Sequence, residues 1–269
     1  MQKNKQRVVF IWLVLAVVLL FSLGCEGIDL NDIGIEKVEI GEVQEEHRVV
    51  ELDDNDDIKV KVRLGAGDLL IEGGATELLE ADFLYNIEGW QPKIEYMARH
   101  LVVRQPSHKK VAFSSDVRYE WNLRFNDNVP LDVSIEFGAG DAEIDLRHLA
   151  ITDLDVRIGA GEVVVDAQGN CTLERLELDL GAGDAKLDLR GAWSEDVDVN
   201  IQGGIGRTTV VLPQDIGVRV DVTKGIGTVH ADGFRIEDGA YVNELYAEAD
   251  VVIYLTIQAG VGEINLELD

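Results

Sequence analysis

Carboxylates that follow paired glycines are the residues of this chain with the most chemical promise. Gly65-Ala66-Gly67-Asp68, Gly138-Ala139-Gly140-Asp141, Gly159-Ala160-Gly161-Glu162 and Gly181-Ala182-Gly183-Asp184 each place an acid after a small glycine loop. Looser copies follow at Gly204-Ile205-Gly206, Gly225-Ile226-Gly227 and Gly260-Val261-Gly262-Glu263. A phosphate cradle needs such a loop to open a helix whose N-terminal amides hold the anion, and here the flanking residues alternate as strands do. Calcium-binding β-rolls repeat every nine residues, a much shorter beat than this one. A weaker cation chemistry survives. Asp141, Glu162 and Asp184 share one parity, as do Asp145, Asp166 and Asp188, so stacked copies set like charges on neighbouring strands. A divalent cation relieves such repulsion with oxygen ligands, and so does simple hydration and screening. No metal and no cofactor are assigned from these residues.

Catalytic groupings are equally absent from the local sequence. His47, His100, His108, His148 and His230 are scattered without metal-ligand spacing, and no Ser-His-Asp or Cys-His arrangement is suggested. A β-helical enzyme acting on polysaccharide would need clustered carboxylates in a groove. Here the acids follow strand parity, so no enzyme is expected.

The elements that carry these residues repeat. From residue 139 through 160, 182, 205 and 226 the central motif positions step by 21, 22, 23 and 21. A period of that length marks stacked supersecondary units. Leu131, Val133, Ile135 and Phe137 alternate with polar residues before Gly138, and Ala142, Ile144 and Leu146 alternate after Gly140. Period-2 alternation puts one row in a core and the other in water. Each unit is therefore strand, tight corner, strand and short return, and the chain reads as an all-β parallel solenoid of about 21–23 residues per coil. The corner glycines are Gly65, Gly67, Gly138, Gly140, Gly159, Gly161, Gly181, Gly183, Gly204, Gly206, Gly225, Gly227, Gly260 and Gly262, positions where a larger residue would crowd the stack. The Ala, Ile or Val between them is expected to face the interior. The coils are expected to run without interruption from about residue 129 to 232, with Val252 and Tyr254 of the last unit pointing outward.

Composition bounds the partners. Fifty-one acidic against 24 basic residues give a formal net charge of −27, which disfavours nucleic acid and bare anionic lipid. Residues 1–24 differ from the rest: Lys3, Lys5 and Arg7 precede an unbroken apolar run closed by Gly24-Cys25. That pattern is an export signal. Ser22-Leu23-Gly24-Cys25 is similar to the bacterial lipobox, in which the cysteine, here Cys25, is lipidated; Ser22 stands where the commonest form has Leu. An uncleaved membrane anchor is the alternative. Both place the body outside the cytoplasm. With Cys25 lipidated, Cys171 has no intramolecular partner, and its place in a return turn suits packing.

Four segments follow: a signal peptide at 1–24, an acidic tether at 25–46, an N-terminal β subdomain at 47–130 and solenoid repeats at 131–269. The 73-residue gap between residues 66 and 139 breaks the period and is rich in aromatics. Strands are expected there at 79–85, 93–96, 101–103, 111–113 and 118–124, joined by hairpin loops at 86–92 and 105–110. A second insertion, at 234–248, is a candidate cap for the open end of the stack.

Tyr85-Asn86, Trp90-Gln91-Pro92-Lys93, Leu101-Val102-Val103-Arg104-Gln105-Pro106, Trp121-Asn122-Leu123 and Val129-Pro130-Leu131-Asp132-Val133 leading into Phe137-Gly138-Ala139-Gly140 resemble the bacterial toast-rack domain. The downstream coils resemble the related candidate-adhesin and cell-wall-active antibiotic response β-repeat proteins. The resemblance spans residues 47–269. It implies a right-handed parallel β-helix on the bacterial envelope, some relatives sensing envelope stress, and it supplies no catalytic residues. The expected function is a non-catalytic envelope module for binding, adhesion or stress sensing, lipid-anchored, with another envelope protein or a wall polymer as partner. Trp90, Tyr96, Tyr119 and Trp121 are its candidate contacts, packing between insert and solenoid being the alternative for each. A self-assembling structural β-helix is the other reading.

Overall fold

The computed structural model describes residues 40–53, 57–106, 117–170 and 172–269. The signal segment, Cys25, Cys171 and the strand expected at 111–113 lie outside them. The described residues form no helix.

Long bent strands build the body: β2 (Ile58–Glu72), β7 (Leu131–Asp145), β8 (Ile151–Asp166), β9 (Arg175–Asp188), β10 (Val197–Leu212), β11 (Gly217–Ala231) and β14 (Val252–Leu268). Each contains one glycine corner, and they stack in parallel with the corners in register: Ala66 pairs with Ala139, Ala139 with Ala160, Ala160 with Ala182, and Ala182 with Ile205. Inward rows such as Val62, Ile135, Val156, Leu178, Ile201 and Ile257 are at most 1% exposed, and their burial drives the stack.

The corner explains the glycines. Gly140, Gly161, Gly183, Gly206, Gly262 and Gly227 all have φ between +131° and +157°. A Cβ on any of them would lie closer than 3 Å to the carbonyl oxygen of the corresponding glycine one coil away. Both the dihedral and the close approach exclude a side chain.

Three expectations fail here. First, the coils do not follow chain order. β14 inserts between β10 and β11, pairing in parallel with both, so the order is β9-β10-β14-β11. The step from residue 205 to 226 has the length of one coil, yet those residues are not neighbours; Val261 lies between them. Second, the central corner residues point outward. Ala139, Ala160 and Ala182 are exposed, and Ile205, Val261 and Ile226 are 63%, 45% and 75% exposed. The corner interrupts alternation, and its convex side faces water; only Ala66, under the covering N-terminal strands, is buried. Third, Val252 is buried while Tyr254 points outward: alternation starts only at Ile253, which is buried with Leu255 and Ile257, and Val252 at the strand's first position lies outside it.

Shorter strands finish the first coil. β5 (His100–Arg104) pairs in parallel with the first arm of β2, and β4 (Lys93–Met97) pairs antiparallel with β5. β6 (Tyr119–Phe125) runs parallel to the second arm of β2, followed by antiparallel β3 (Leu79–Ile87) and β1 (Ile40–Val50). β1 thus begins within the span expected as a tether. At the far end, β12 (Arg235–Glu237) and β13 (Ala240–Val242) form a hairpin whose β13 pairs with Arg219 and Val220 of β11.

Buried asparagines latch the returns. The Asn170 amide donates to the carbonyls of Leu146 (2.7 Å) and Leu149 (2.9 Å), Asn126 does so to Ala75 and Thr76, and Asn243 to Ile216. These residues satisfy carbonyls that the short returns would otherwise leave unpaired.

Candidate functional site

The aromatic residues expected to meet a partner are mostly interior. Trp90, Tyr119 and Trp121 are 4%, 2% and 1% exposed, stacked edge-to-face on one another with Phe83. The Tyr119 hydroxyl donates to the Trp90 carbonyl at 2.7 Å, and burial pushes that hydroxyl's pKa well up. These three glue β3 and β6 to the first coil and offer no contact surface. Tyr96 is half-buried on the β4–β5 hairpin, its hydroxyl donating to Asp53 at 2.8 Å.

The corner carboxylates fare differently according to place. The stack Asp145–Asp166–Asp188 is in register and already neutralised. Arg147 bonds Asp145 at 2.6 Å and reaches Asp166 at 3.3 Å; Gln168 bridges Asp166 and Asp188; Arg190 holds Asp188 and Asp269. The hydrogen bonds from Arg147 hold the Asp145 carboxyl below its usual range. No cation is required there. On the first arms, Lys61 and Arg63 both reach Glu136, Lys59 pairs with Asp132 and Arg175 with Asp153, so cations of one strand answer acids of the next.

The acids nearer the corner on the second arms of β2, β7 and β8 lack that compensation. One outward row runs across the sheet as Glu45, Leu84, Glu120, Asp68, Asp141 and Glu162, from β1 through β3, β6, β2 and β7 to β8. The next row is His47, Asp82, Asn122, Leu70, Glu143 and Val164. Together they line a trough of about 910 Å³. His47 pairs with Asp82 at 2.7 Å and Arg118 with Glu120 at 3.0 Å, whereas Asp68, Asp141, Glu143 and Glu162 have no ion pair among the described residues. Burial, then the neighbouring Glu120 and Asp141 carboxylates, push the Asp68 pKa up. Between the acids, Leu70, Leu84 and Val164 are half-buried although they point outward, and the Asn122 Oδ1 is buried without a hydrogen-bond partner among the described residues. The surface is thus anionic, partly apolar and concave, suited to a cation with apolar flanks.

Sequence parity places Asp141, Glu162 and Asp184 on one row; Glu162 and Asp184 are in register, and Arg207 meets Asp184 at 3.4 Å. The contributions of β1, β3 and β6 were invisible, because pairing between segments so far apart in sequence, outside the regular repeat, has no periodic signal. Among the described residues no group of His, Cys, Asp and Glu has the geometry of a metal site.

Residues 39–171 match the family described as the N-terminal domain of toast_rack, and residues 161–266 match that described as cell wall-active antibiotics response LiaF, C-terminal. A crystal structure of a candidate cell adhesion protein from Clostridium sporogenes ATCC 15579 is 31% identical, covering 85% of this chain and 100% of its own, with a TM-score of 0.64. The chain belongs to the toast-rack family. Candidate adhesins from Bacteroides fragilis NCTC 9343 and Parabacteroides distasonis ATCC 8503 are 11% and 13% identical over 86% and 87% of this chain and 99% and 100% of theirs. Their TM-scores are 0.35 and 0.34, too low to bear on the site. No curated protein matches the chain. As a toast-rack chain, it carries its trough where the N-terminal strands meet the first coils.

Proposed function

We propose that this toast-rack protein is a binding module of the bacterial envelope, held on the extracytoplasmic side through a lipid on Cys25, whose trough receives a cationic ligand with apolar flanks. The observation that carries this reading is the set of uncompensated carboxylates around Leu70, Leu84 and Val164. Envelope placement is supported by the basic-apolar segment ending at Cys25, by the match to an antibiotic-response family and by the adhesion name of the Clostridium relative. The coils from β7 to β10 are read as 21–23 residues each, supported by register offsets such as Asp132 to Asp153 and Asp153 to Arg175, and as right-handed, as the family resemblance implies.

A pair of like carboxylates taken partly out of water favours whichever partner returns a positive charge. Binding should therefore weaken with salt and with removal of the acids at the trough's centre. The test is titration of the full chain with a short Lys/Leu amphipathic peptide, before and after Asp68→Asn with Asp141→Asn. About tenfold weaker binding in the double variant is expected. Unchanged affinity, or equal affinity for a Glu/Leu peptide, would remove the trough from the function. Lipidation is tested separately: mass spectrometry of membrane-extracted protein should find a diacylglyceryl group on Cys25, and an intact residue 1–24 segment would favour the uncleaved anchor.

A further inference from the structure

The spatial order of the coils creates a second surface that chain order conceals. Along the corners, from β2 to β11, the central residues read Ala66, Ala139, Ala160, Ala182, Ile205, Val261, Ile226. Methyl groups give way to three branched side chains on adjacent strands, and these three are among the most exposed large hydrophobics of the described residues. They form a convex apolar ridge about 10 Å long, two inter-strand spacings. The row just before the corner changes too: buried Leu64, Phe137, Ile158 and Leu180 are followed by half-buried Gly203 and Ala259 and exposed Lys224. Bulk has moved from the inside of the corner to the outside, which core packing does not explain.

Charge moves with it. Within three residues of the ridge on its three strands stand two cations, Arg207 and Lys224, and one acid, Glu263. The trough, by contrast, has eight acids and His47 as its one basic lining residue. One end of the molecule is convex, apolar and near-neutral, with Arg207 meeting Asp184 at 3.4 Å and Glu263 at 3.8 Å beside it; the other is concave, partly apolar and strongly negative.

We infer that the occupant of the trough is the ridge of a second copy of this chain, in a head-to-tail contact. The inference rests on the trough reading above and names its partner. Two ridges meeting symmetrically would leave the trough's carboxylates uncompensated. Ridge into trough pairs Lys224 and Arg207 with Asp68, Asp141 and Glu162 and covers Ile205, Val261 and Ile226 with Leu70, Leu84 and Val164. Such a contact is heterologous, so a joined pair keeps one free ridge and one free trough and can extend a row along the envelope. The net charge of −27 per copy opposes growth and makes the contact weak and salt-dependent.

The test uses two full-length variants, both with Cys25→Ser and Cys171→Ser, one carrying Ile226→Cys and the other Leu70→Cys. They are mixed with a short bis-maleimide and resolved by mass. The mixed 226–70 product is expected, reduced roughly tenfold between 50 mM and 500 mM salt and lost when Ile205→Asp is added to the ridge copy. A 226–226 product without the mixed one would replace this contact by a symmetric one and overturn the inference. So would a mixed product no more abundant than that of Ile226→Cys with Thr152→Cys, a position away from the trough. If the cationic peptide still binds in a manner dependent on Asp68 and Asp141 while the mixed product is absent, the trough reading stands and the second copy is not its ligand.

Discussion

The coils β7–β9 and the trio β10, β14 and β11 share one backbone plan and differ in nearly everything laid on it. Both have glycine corners of positive φ stacked on carbonyl oxygens, and both pair in parallel, with a single register shift at Leu131/Asp132 where β7 meets β8. Yet β7–β9 carry 13 acidic residues and the trio carries four. The first set packs Phe137, Ile158 and Leu180 inside the corner and exposes only methyl groups at its apex. The trio reverses this arrangement. The backbone of a parallel stack is thus fixed by sterics common to every coil, while inward bulk, outward bulk and charge are free to vary along it. Variation confined to one end is where a surface can be built without disturbing the fold.

The hardest attempt to break this comparison is at the corners, where the two sets should respond alike. Gly161→Ala and Gly206→Ala each force a side chain into a left-handed conformation and into the neighbouring carbonyl. Each should cost about 4 kcal/mol or more, read by denaturant unfolding of the folded fraction that remains. Ala160→Ser, one residue away on the exposed apex, should stay within about 0.5 kcal/mol. Equal tolerance at residues 160 and 161 would mean that the stack does not constrain its corners.

Inward bulk should separate the two sets. Ile158→Ala removes a side chain that is 3% exposed, with an expected loss of about 2–4 kcal/mol in urea denaturation. Lys224→Ala, at the equivalent position of the end coil, loses a hydrogen bond to the Gly227 carbonyl at an exposed site and should change stability by less than about 1 kcal/mol. A large loss at residue 224 would show that its stem, too, packs the end coil.

The returns give a smaller effect. Asn170→Leu leaves the Leu146 and Leu149 carbonyls without their donor, with an expected loss of about 1–3 kcal/mol and earlier amide exchange in the turn than elsewhere in β8 and β9.

The subtlest prediction concerns the trough's charge. Asp68 binds its proton more tightly in the folded chain than its ordinary value of 3.8. A carboxyl with a raised folded pKa favours the folded state at low pH and loses that contribution as pH rises through the folded value. Asp68→Asn should therefore melt higher than the parent at pH 7, with the difference closing as the pH falls below 3.8. An Asp68→Asn protein that melts lower at pH 7, or a gap that widens in acid, would mean that the trough's acids are compensated after all.

Much of the fold was legible because it is local and repeated. Alternation identified Leu131, Val133 and Ile135 as core, and paired glycines identified the corners. Four of the short strands expected in the long gap are present in the described residues, at β3, β4, β5 and β6. The trough was half legible: the acids of β7 and β8 share a parity that can be read, whereas Glu45, Leu84 and Glu120 join them through pairing between distant segments, antiparallel among β1, β3 and β6 and parallel between β6 and β2. The buried asparagines carried a signal in their turn neighbours, Gly169-Asn170 and Asn126-Asp127, but nothing local distinguishes an asparagine that latches a turn from one that merely tolerates it.

Sequence by itself determined that this protein stacks bent strands in parallel, because a period near 22 residues, strict alternation and paired glycines admit few other solutions. It did not determine the order of the last coils. β10, β11 and β14 have interchangeable parity and corners, so local sequence lets any of them lie beside any other. The choice is made by long-range contacts: Arg190 holds Asp269 at 2.5 Å, the Asp269 amide donates to Leu212, Asp196 accepts from the Val252 amide, and the β12–β13 hairpin occupies the outer edge of β11. Those contacts seat β14 against β10, and only then do Ile205, Val261 and Ile226 become one ridge.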